Sequence, residues 1–393
     1  MKRLPMVMSK RSTKTTIVIA ISFPVIIVII LLFFQDNPPL TAQKPATKAS
    51  NEKTSFKQIK ERTIKIKLPS TKKQKKTLST EEKIYILTCD EKDAENKKRV
   101  MEQFQKTDLF GNESMQKFKQ SQNENERLFY ILNNQKITET ERLLLLKDFV
   151  NQHVDNKLSQ WRMIVSCTSQ ISLCDERIEQ SAIESDGNNA ALWLNIAALR
   201  MEKKDREGSL VALEKSASLP FFNDYFSEEM SLYEQVAINN GYPDYEEIVL
   251  GSIGTYATTP IAKMDEIVNL CEKKSKNQLE IANLCIRVGE NIQHYGQSYF
   301  SHVLGLALLE KVFQAQGNTL ELENIKIKKD NLMKNAWSGN FAKAMELTLF
   351  DRQLLQDWYE AWKQQGEIYA QHYVIEEAIR LSKNPDYNPC PLH

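Results

Sequence analysis

The chain has 393 residues, with 52 Lys and Arg against 51 Asp and Glu, and its formal net charge is +1. This near-neutral total conceals a charge split, because residues 1–76 carry 17 Lys and Arg with three acidic residues, and the remainder carries 35 with 48. The densest basic cluster, at 72–76, has no interleaved aromatic residue, which excludes the usual pattern of a nucleic-acid-binding segment, and we expect no nucleic acid among the partners.

The first predicted element is a transmembrane helix over residues 15–35. This stretch contains no charged residue, and a basic cytoplasmic tip, residues 1–14, precedes it. Its apolar part, Ile17 to Phe34, would rise about 27 Å as a helix at about 1.5 Å per residue, close to a hydrocarbon core of roughly 30 Å. A buried core helix is the alternative for such a run. The lack of polar residues favours an anchor held by membrane lipid.

The residues on either side of this segment indicate whether the anchor is cleaved and which way it is oriented. A cleaved signal peptide has an apolar run of about 7 to 15 residues followed by small residues, whereas bulky residues end this run at Leu31 to Phe34. We therefore expect retention rather than cleavage. Five Lys or Arg precede the span and three follow it closely, which predicts a cytoplasmic amino terminus. The expected location is the bacterial inner membrane, with a single pass and a periplasmic main domain.

Residues 36–78 are predicted to form a disordered basic linker. They are rich in Pro, Thr and Lys and show little apolar periodicity. Such a composition buries too little apolar surface to offset the entropy of the chain. A basic segment beside a membrane binds anionic head groups at about 1 kcal/mol per Lys, but a solvated spacer has the same composition. The sequence leaves both interpretations open.

Residues 79–393 are predicted to form an all-α periplasmic domain of antiparallel helical hairpins. No proline occurs between Pro69 and Pro220, and the apolar residues recur at helical spacing. The capping box of Thr138 and Glu141 begins a predicted helix over 139–153. Further helices are predicted at 261–273, 278–294, 298–316, 320–337 and 351–381. The body is either one superhelical array or two subdomains with a boundary near 241–260.

One stretch resembles a known repeat. Residues 186–193 read DGNNAALW, similar to the D-P-N-N-A-x-A-W junction between tetratricopeptide repeats, with Gly187 in place of proline. The resemblance covers 186–220, and it departs from the pattern at Arg200, where an aromatic residue is usual. It implies packing roles within a pair of repeat helices for five residues: Trp193, Ile196, Ala197, Leu213 and Pro220.

The resemblance implies a TPR-like α-solenoid and says little about ligands. It covers one degenerate repeat, and no second copy is found at that period. The layout of anchor, linker and helical body also resembles that of uncharacterised single-pass bacterial envelope proteins. Neither likeness implies an activity.

Six cysteines follow the anchor, and an even number outside the cytoplasm favours disulfides. Cys167 and Cys174 in one continuous helix would lie about 10 Å apart, beyond the roughly 7 Å limit between bridged Cα atoms, so their pairing requires a turn between them. Residues 168–170 supply that turn. Free buried thiols and a metal site are the alternatives, although the spacings fit no zinc pattern.

The other four cysteines are expected to form two bridges. Cys271 and Cys285 flank a polar turn, as in a bridge across a helical hairpin. Cys89 and Cys390 then remain to tie the start of the body to its tail. The six residues allow 15 pairings in all, so this connectivity is a hypothesis.

A search for catalytic motifs finds no phosphate-binding loop, no dinucleotide-binding fingerprint, no H-E-x-x-H and no nucleophile elbow. We predict no catalytic residue, no metal and no small-molecule cofactor. The densest polar and aromatic cluster is a candidate groove formed by His294, Tyr295, Tyr299 and His302. Residues at the ends of ordinary helices show the same pattern. The sequence therefore leaves open whether these four residues line a groove or simply end two helices.

The final segment is rich in aromatic residues, including Trp358, Tyr359, Trp362 and Tyr369. Such residues either form part of a binding interface or belong to a helix that is buried against its neighbour.

The leading hypothesis for the whole chain is a membrane-anchored periplasmic interaction or scaffold module with an unknown envelope protein as partner. The alternative is an envelope enzyme that acts on cell-wall polymer through a cleft with an acidic carboxyl group.

Overall fold

The computed structural model describes residues 85–89, 110–258, 262–336 and 338–390. The predicted cytoplasmic tip, transmembrane helix and basic linker lie outside these ranges, so they stay predictions. The described residues all belong to one compact unit of the chain. None of the described helices is long and apolar enough to span a bilayer.

The described part of the chain is helical and contains no strand, which confirms the all-α class for these residues. A short 3-10 helix, Ile171–Leu173, lies between α4 and α5. The α-helices are α1 (Asn112–Lys119), α2 (Glu124–Asn133), α3 (Glu139–Gln152), α4 (Lys157–Cys167), α5 (Glu176–Asp186), α6 (Ala190–Glu202), α7 (Arg206–Ser218), α8 (Phe226–Asn239), α9 (Tyr245–Thr258), α10 (Asp265–Ser275), α11 (Leu279–Tyr295), α12 (Tyr299–Gln316), α13 (Thr319–Ala336), α14 (Gly339–Thr348), α15 (Arg352–Gln365) and α16 (Glu367–Ser382).

Side-chain caps define many of these helix starts. Thr138 accepts a hydrogen bond from the backbone N–H of Glu141 at 3.1 Å, as the capping box predicts. Asn156, Ser298 and Asp351 cap α4, α12 and α15 in the same way. The predicted helix 139–153 is therefore α3, and α11, α12 and α13 begin and end within one residue of their predicted bounds.

The predicted helix 351–381 is wrong as a single element, because Gly366 divides it into α15 and α16. Gly366 has φ +88° and ψ 169°, a region essentially restricted to glycine. A Cβ atom there would lie 2.6 Å from the carbonyl oxygen of Gln297, and the next N–H, that of Glu367, donates to this oxygen at 2.8 Å. Contact with a residue about 70 positions away therefore breaks the helix.

Consecutive helices pack as hairpins, most extensively α6 with α7, α8 with α9, α11 with α12 and α15 with α16. Contacts between distant parts of the sequence also occur, since α8 packs against α2 and α15, and α7 packs against α11. In a linear repeat array each unit contacts only its neighbours. The hairpin pairing agrees with the predicted architecture, and α8 adds long-range contacts that such an array lacks.

The stretch that resembles a tetratricopeptide repeat forms the α6–α7 hairpin. Three of its predicted packing residues are fully buried: Ile196, Ala197 and Leu213. Trp193 is half-buried, and its indole Nε1 donates to the carbonyl of Gly187 at 2.7 Å. Pro220 is exposed beyond the end of α7. These positions suit a helical hairpin, and membership of the repeat family stays a prediction.

Two large hydrophobic clusters form the core. The first extends through α1 to α12, and the second joins α14, α15 and α16 to parts of α8 and α9. Trp358, Tyr359 and Trp362 are 3%, 0% and 2% exposed within the second cluster, so these aromatic residues are core and not interface. A small third cluster lies between α12 and α13.

The three predicted disulfides are present and leave no free cysteine. The Cα atoms are 5.5 Å apart in Cys89–Cys390 and 5.8 Å apart in Cys167–Cys174 and Cys271–Cys285. Cys167 ends α4, and the following turn with its 3-10 helix returns the chain to Cys174. All six cysteine sulfur atoms are thus paired in the arrangement that the sequence suggested.

We predict that Gly366→Ala lowers the free energy of unfolding by about 1–3 kcal/mol, because a residue with a Cβ is strained at this φ and ψ. The matched control is Gly339→Ala, where a Cβ meets nothing within 4 Å, and this change leaves stability unchanged or raises it by up to about 1 kcal/mol. Urea unfolding of the full-length chain, followed by circular dichroism, measures both. Equal effects of the two changes would contradict the role of Gly366.

Candidate functional site at the junction of α11, α12 and α16

The predicted groove residues lie on either side of the turn between α11 and α12. His294 and Tyr295 end α11, where both are exposed, and their ring centroids are 4.5 Å apart. Tyr299 and His302 lie in the first turn of α12, where Tyr299 is buried and His302 half-buried. The structure therefore divides the four side chains between the surface and the interior.

The two inner side chains hold neighbouring elements together. The hydroxyl of Tyr299 donates to Oε1 of Gln371, and the backbone N–H of Tyr299 donates to Oε2 of Glu367 at 2.8 Å. Nε2 of His302 lies 2.8 Å from the carbonyl oxygen of Gly296, and burial lowers the pKa of this imidazole. The first turn of α12 is thus bonded to the first turn of α16.

A half-buried carboxylate that the sequence did not single out lies on the other side of this turn. Oδ2 of Asp224 accepts hydrogen bonds from the hydroxyls of Ser298 at 2.8 Å and Ser301 at 2.7 Å. Burial raises the pKa of Asp224, and the hydrogen bonds from the two serines oppose this shift. A carboxylate at the amino terminus of α12 also interacts favourably with the helix dipole.

Residues 219–225, which contain this carboxylate, are hydrogen-bonded on two sides. Asn291 of α11 donates from Nδ2 to the carbonyl of Leu219 at 2.7 Å. On the other side, the N–H of Ala190 donates to the carbonyl of Phe221 at 2.8 Å. The hydroxyl of Tyr225 donates to Oδ2 of Asp186 at 2.7 Å, and Tyr225, with φ 58°, is the residue immediately before α8. The segment is therefore a fixed support and not a loose connection.

Three exposed aromatic side chains border the junction, which we define as residues 219–225, 294–302 and 366–371. They are Phe221, Tyr295 and Tyr369, with 42%, 39% and 44% of their surfaces exposed. Each comes from a different segment of the junction, and each is within three residues of a contact that joins the segments. We call these three residues the aromatic edge. Aromatic side chains on a fixed backbone are the residues that dominate many binding interfaces.

The serine, carboxylate and histidine side chains of the junction form hydrogen bonds within the protein. The hydroxyls of Ser298 and Ser301 lie 3.0 Å apart and both contact Asp224, while the imidazole of His302 contacts the carbonyl oxygen of Gly296. Over the described ranges, no group of three or more His, Cys, Asp or Glu side chains is placed to hold a metal ion.

Sequence reasoning identified Tyr295, Tyr299 and Tyr369 but missed Phe221 and Asp224. One signal was available, because residues 220–226 read PFFNDYF and concentrate aromatic residues in a stretch with little helical pattern.

No family model matches the chain, and comparison with curated proteins and with solved structures gives no match either. Its function is therefore inferred from its own residues.

We predict that Asp224→Asn gains stability relative to the wild type as the pH rises. The folded state holds the Asp224 proton more tightly than the unfolded state, because burial raises the folded pKa. Wild-type stability therefore falls as the pH rises above the unfolded pKa of about 4, by up to about 1.4 kcal/mol per pH unit, whereas Asn does not titrate.

Urea unfolding of both full-length proteins between pH 3 and pH 7 measures this difference. The asparagine amide still pairs with the serine hydroxyls, since a hydroxyl both donates and accepts. Asp330→Asn on the exposed face of α13 is the matched control. A pH-independent difference between wild type and Asp224→Asn would contradict the prediction.

Proposed function

We propose that the protein is a membrane-anchored envelope protein whose helical body acts outside the cytoplasm as an interaction or scaffold module. The observation that carries the proposal is the pairing of all six cysteines in three disulfides. Disulfides form and persist in oxidising compartments and are rare in the cytosol. In a bacterial cell this supports a periplasmic body behind an inner-membrane anchor.

The anchor and linker determine where such a body acts. Residues 15–35 hold the chain in the bilayer, and the basic residues of 36–78 keep the body near the membrane face. A flexible chain of that length has a root-mean-square span of about 35 Å. The proposed partner is therefore an envelope protein that lies close to the inner membrane.

We place the partner surface at the aromatic edge. Phe221, Tyr295 and Tyr369 are large and exposed, and the hydrogen bonds of Asp224 and Glu367 hold their backbones in fixed positions. An aromatic side chain has only two rotatable side-chain angles, so it loses little conformational entropy on binding. The α6–α7 hairpin supports a TPR-like binding module, since helical hairpins of this kind present extended surfaces to other proteins.

One observation favours an enzyme as the second candidate. Burial raises the pKa of Glu228, and its Oε2 has no hydrogen-bond partner, as a general acid in cell-wall hydrolysis would require. Its Oε1, however, accepts a hydrogen bond from Asn223 at 2.6 Å, which is part of the network that holds residues 219–225. This structural role accounts for Glu228, and we rank the interaction module first.

Thiol alkylation tests the compartment. We expect iodoacetamide to label none of the six cysteines in the non-reduced full-length protein and all six after reduction, as measured by mass spectrometry of the peptides. The reason is that a disulfide sulfur is not nucleophilic towards the reagent. Six labelled cysteines before reduction would overturn the proposed placement of the body.

Photo-crosslinking in intact cells tests the surface. A photoreactive residue in place of Tyr295 or Tyr369 is expected to form an adduct with one envelope protein, and the matched control at Leu320 of α13, which is 71% exposed, is not. Changing Phe221, Tyr295 and Tyr369 together to Ser is expected to weaken that association at least about tenfold. Equal adducts at all three sites would contradict binding at the aromatic edge.

A further inference from the structure

The three disulfides differ in how deeply their cysteines are buried. The four cysteines of the two bridges with short sequence separations, 7 and 14, all belong to the first hydrophobic cluster. Of these, Cys271 and Cys285 are both 0% exposed. Cys89 and Cys390 belong to none of the three clusters, and Cys390 is the one cysteine of the six that is half-buried rather than buried. The bridge between Cys89 and Cys390 is therefore the most accessible.

The segment that contains Cys390 lies at the surface of the body. Residues 383–390 follow α16 without forming a helix, and five of these eight residues are exposed. The hydroxyl of Tyr387 donates to Oδ2 of Asp351 at 2.7 Å and attaches the segment to the start of α15. Segments with few buried contacts open locally at low free-energy cost, whereas the other two bridges become accessible only if the first cluster opens.

Cys89 ends a short segment that depends on its bridge. Residues 85–89 form no helix. Ile86 is buried in the second cluster, and the N–H of Leu87 donates to Oγ of Ser382 at 2.8 Å, at the end of α16. Fixing the backbone of five residues costs more conformational entropy than one buried side chain and one hydrogen bond return. Without the bridge, the segment therefore leaves the cluster.

We propose that the Cys89–Cys390 bridge is a redox switch. In the oxidised state it holds residues 85–89 on the second cluster, and in the reduced state it releases them. The reductant is a dithiol, which reaches Cys390 before it reaches the other cysteines. The switch goes beyond the proposed function, because its chemistry depends on the accessibility of Cys390 and not on a partner at the aromatic edge.

Reduction proceeds through the exposed end of the bridge. A thiolate of the dithiol attacks Sγ of Cys390, the bond to Cys89 breaks, and Cys89 leaves as a thiolate. The second thiol of the dithiol then attacks the dithiol's own sulfur in the mixed disulfide and releases Cys390 as a thiolate. Two electrons pass from the dithiol, which becomes a disulfide, to the cysteine pair, and the two cysteine thiolates take up the two protons that the dithiol loses.

Release changes a limited part of the body. The side chain of Ile86 and the apolar surface that it covers become exposed to water. The hydroxyl of Tyr359 in α15 donates to the carbonyl of Met230 in α8 at 3.2 Å, and Lys363 of α15 pairs with Glu234 of α8. These contacts hold α15 independently of the bridge. The second cluster therefore persists, and reduction uncovers an apolar surface that the oxidised protein covers.

Stepwise reduction of the full-length protein tests the order of opening. Dithiothreitol, a dithiol, is added without denaturant, and the thiols that appear over time are labelled with iodoacetamide and identified by mass spectrometry. We expect Cys89 and Cys390 to be labelled at least about tenfold faster than the other four cysteines, because the rate of thiol–disulfide exchange depends on access. Equal labelling rates for the three pairs would overturn the switch.

Hydrogen exchange of the same samples tests the release. Once the bond between Cys89 and Cys390 is cut, we expect the amides of residues 85–89 to exchange at least about tenfold faster, while those of α15 and α16 keep their rates. Unchanged exchange in 85–89 would contradict release. Faster exchange throughout α15 and α16 would also overturn the switch, since the bond would then support the whole cluster.

Two double variants are matched probes of the release. Cys89→Ala with Cys390→Ala is expected to show fast exchange in residues 85–89 before any reduction, and dithiothreitol is expected to add nothing there. Cys167→Ala with Cys174→Ala keeps the switch, so exchange in 85–89 is expected to stay slow until the dithiol is added. Fast exchange in 85–89 in both untreated variants would show that no single bridge controls the segment, and the switch would be wrong.

The switch and the proposed function can fail separately. Three bridges that resist reduction equally would overturn the switch alone, since they would still have formed outside the cytoplasm. Six reduced cysteines in the protein as isolated from cells would instead overturn the placement of the body, and the switch with it.

Discussion

The packing of α8 between the two large hydrophobic clusters is the constraint on which the rest of the fold depends. Met230 lies in the second hydrophobic cluster, and Tyr233 and Val236 lie in the first. Polar contacts on both sides add to this packing. Glu229 pairs with Arg162 of α4 at 2.9 Å, and Glu234 pairs with Lys363 of α15 at 2.5 Å. Because the first of these pairs is buried, loss of either partner would leave an uncompensated charge.

The position of α8 in turn determines the junction. The helix begins at Phe226, two residues after Asp224, so its placement fixes Asp224, and Asp224 fixes the amino terminus of α12 through Ser298. The turn before α12 contains Gln297, whose carbonyl binds the first N–H of α16. The aromatic edge therefore depends on a series of contacts that begins in the core. A change that loosened α8 would move this surface without touching it.

The local parts of this arrangement could be predicted from the sequence, and the long-range parts could not. Thr138 and Glu141 lie three residues apart, and a capping box requires only that spacing. The break at Gly366 depends on Gln297, and the site of Asp224 depends on Ser298, 74 positions away. Helical periodicity does not report on such contacts. The cysteine pairs could be predicted from the sequence because two were local and the third followed by elimination.

The bridge between Cys89 and Cys390 also explains how a short segment without helix is held. Ordering residues 85–89 costs about 1–2 kcal/mol per residue, whereas burying Ile86 returns about 1.5–3 kcal/mol and one hydrogen bond to Ser382 about 1 kcal/mol. These contacts alone would not keep the segment in place. Closing a loop of 301 residues lowers the conformational entropy of the unfolded chain, which destabilises the unfolded state by up to about 6 kcal/mol. The covalent bond therefore holds a segment whose noncovalent contacts are too weak to order it.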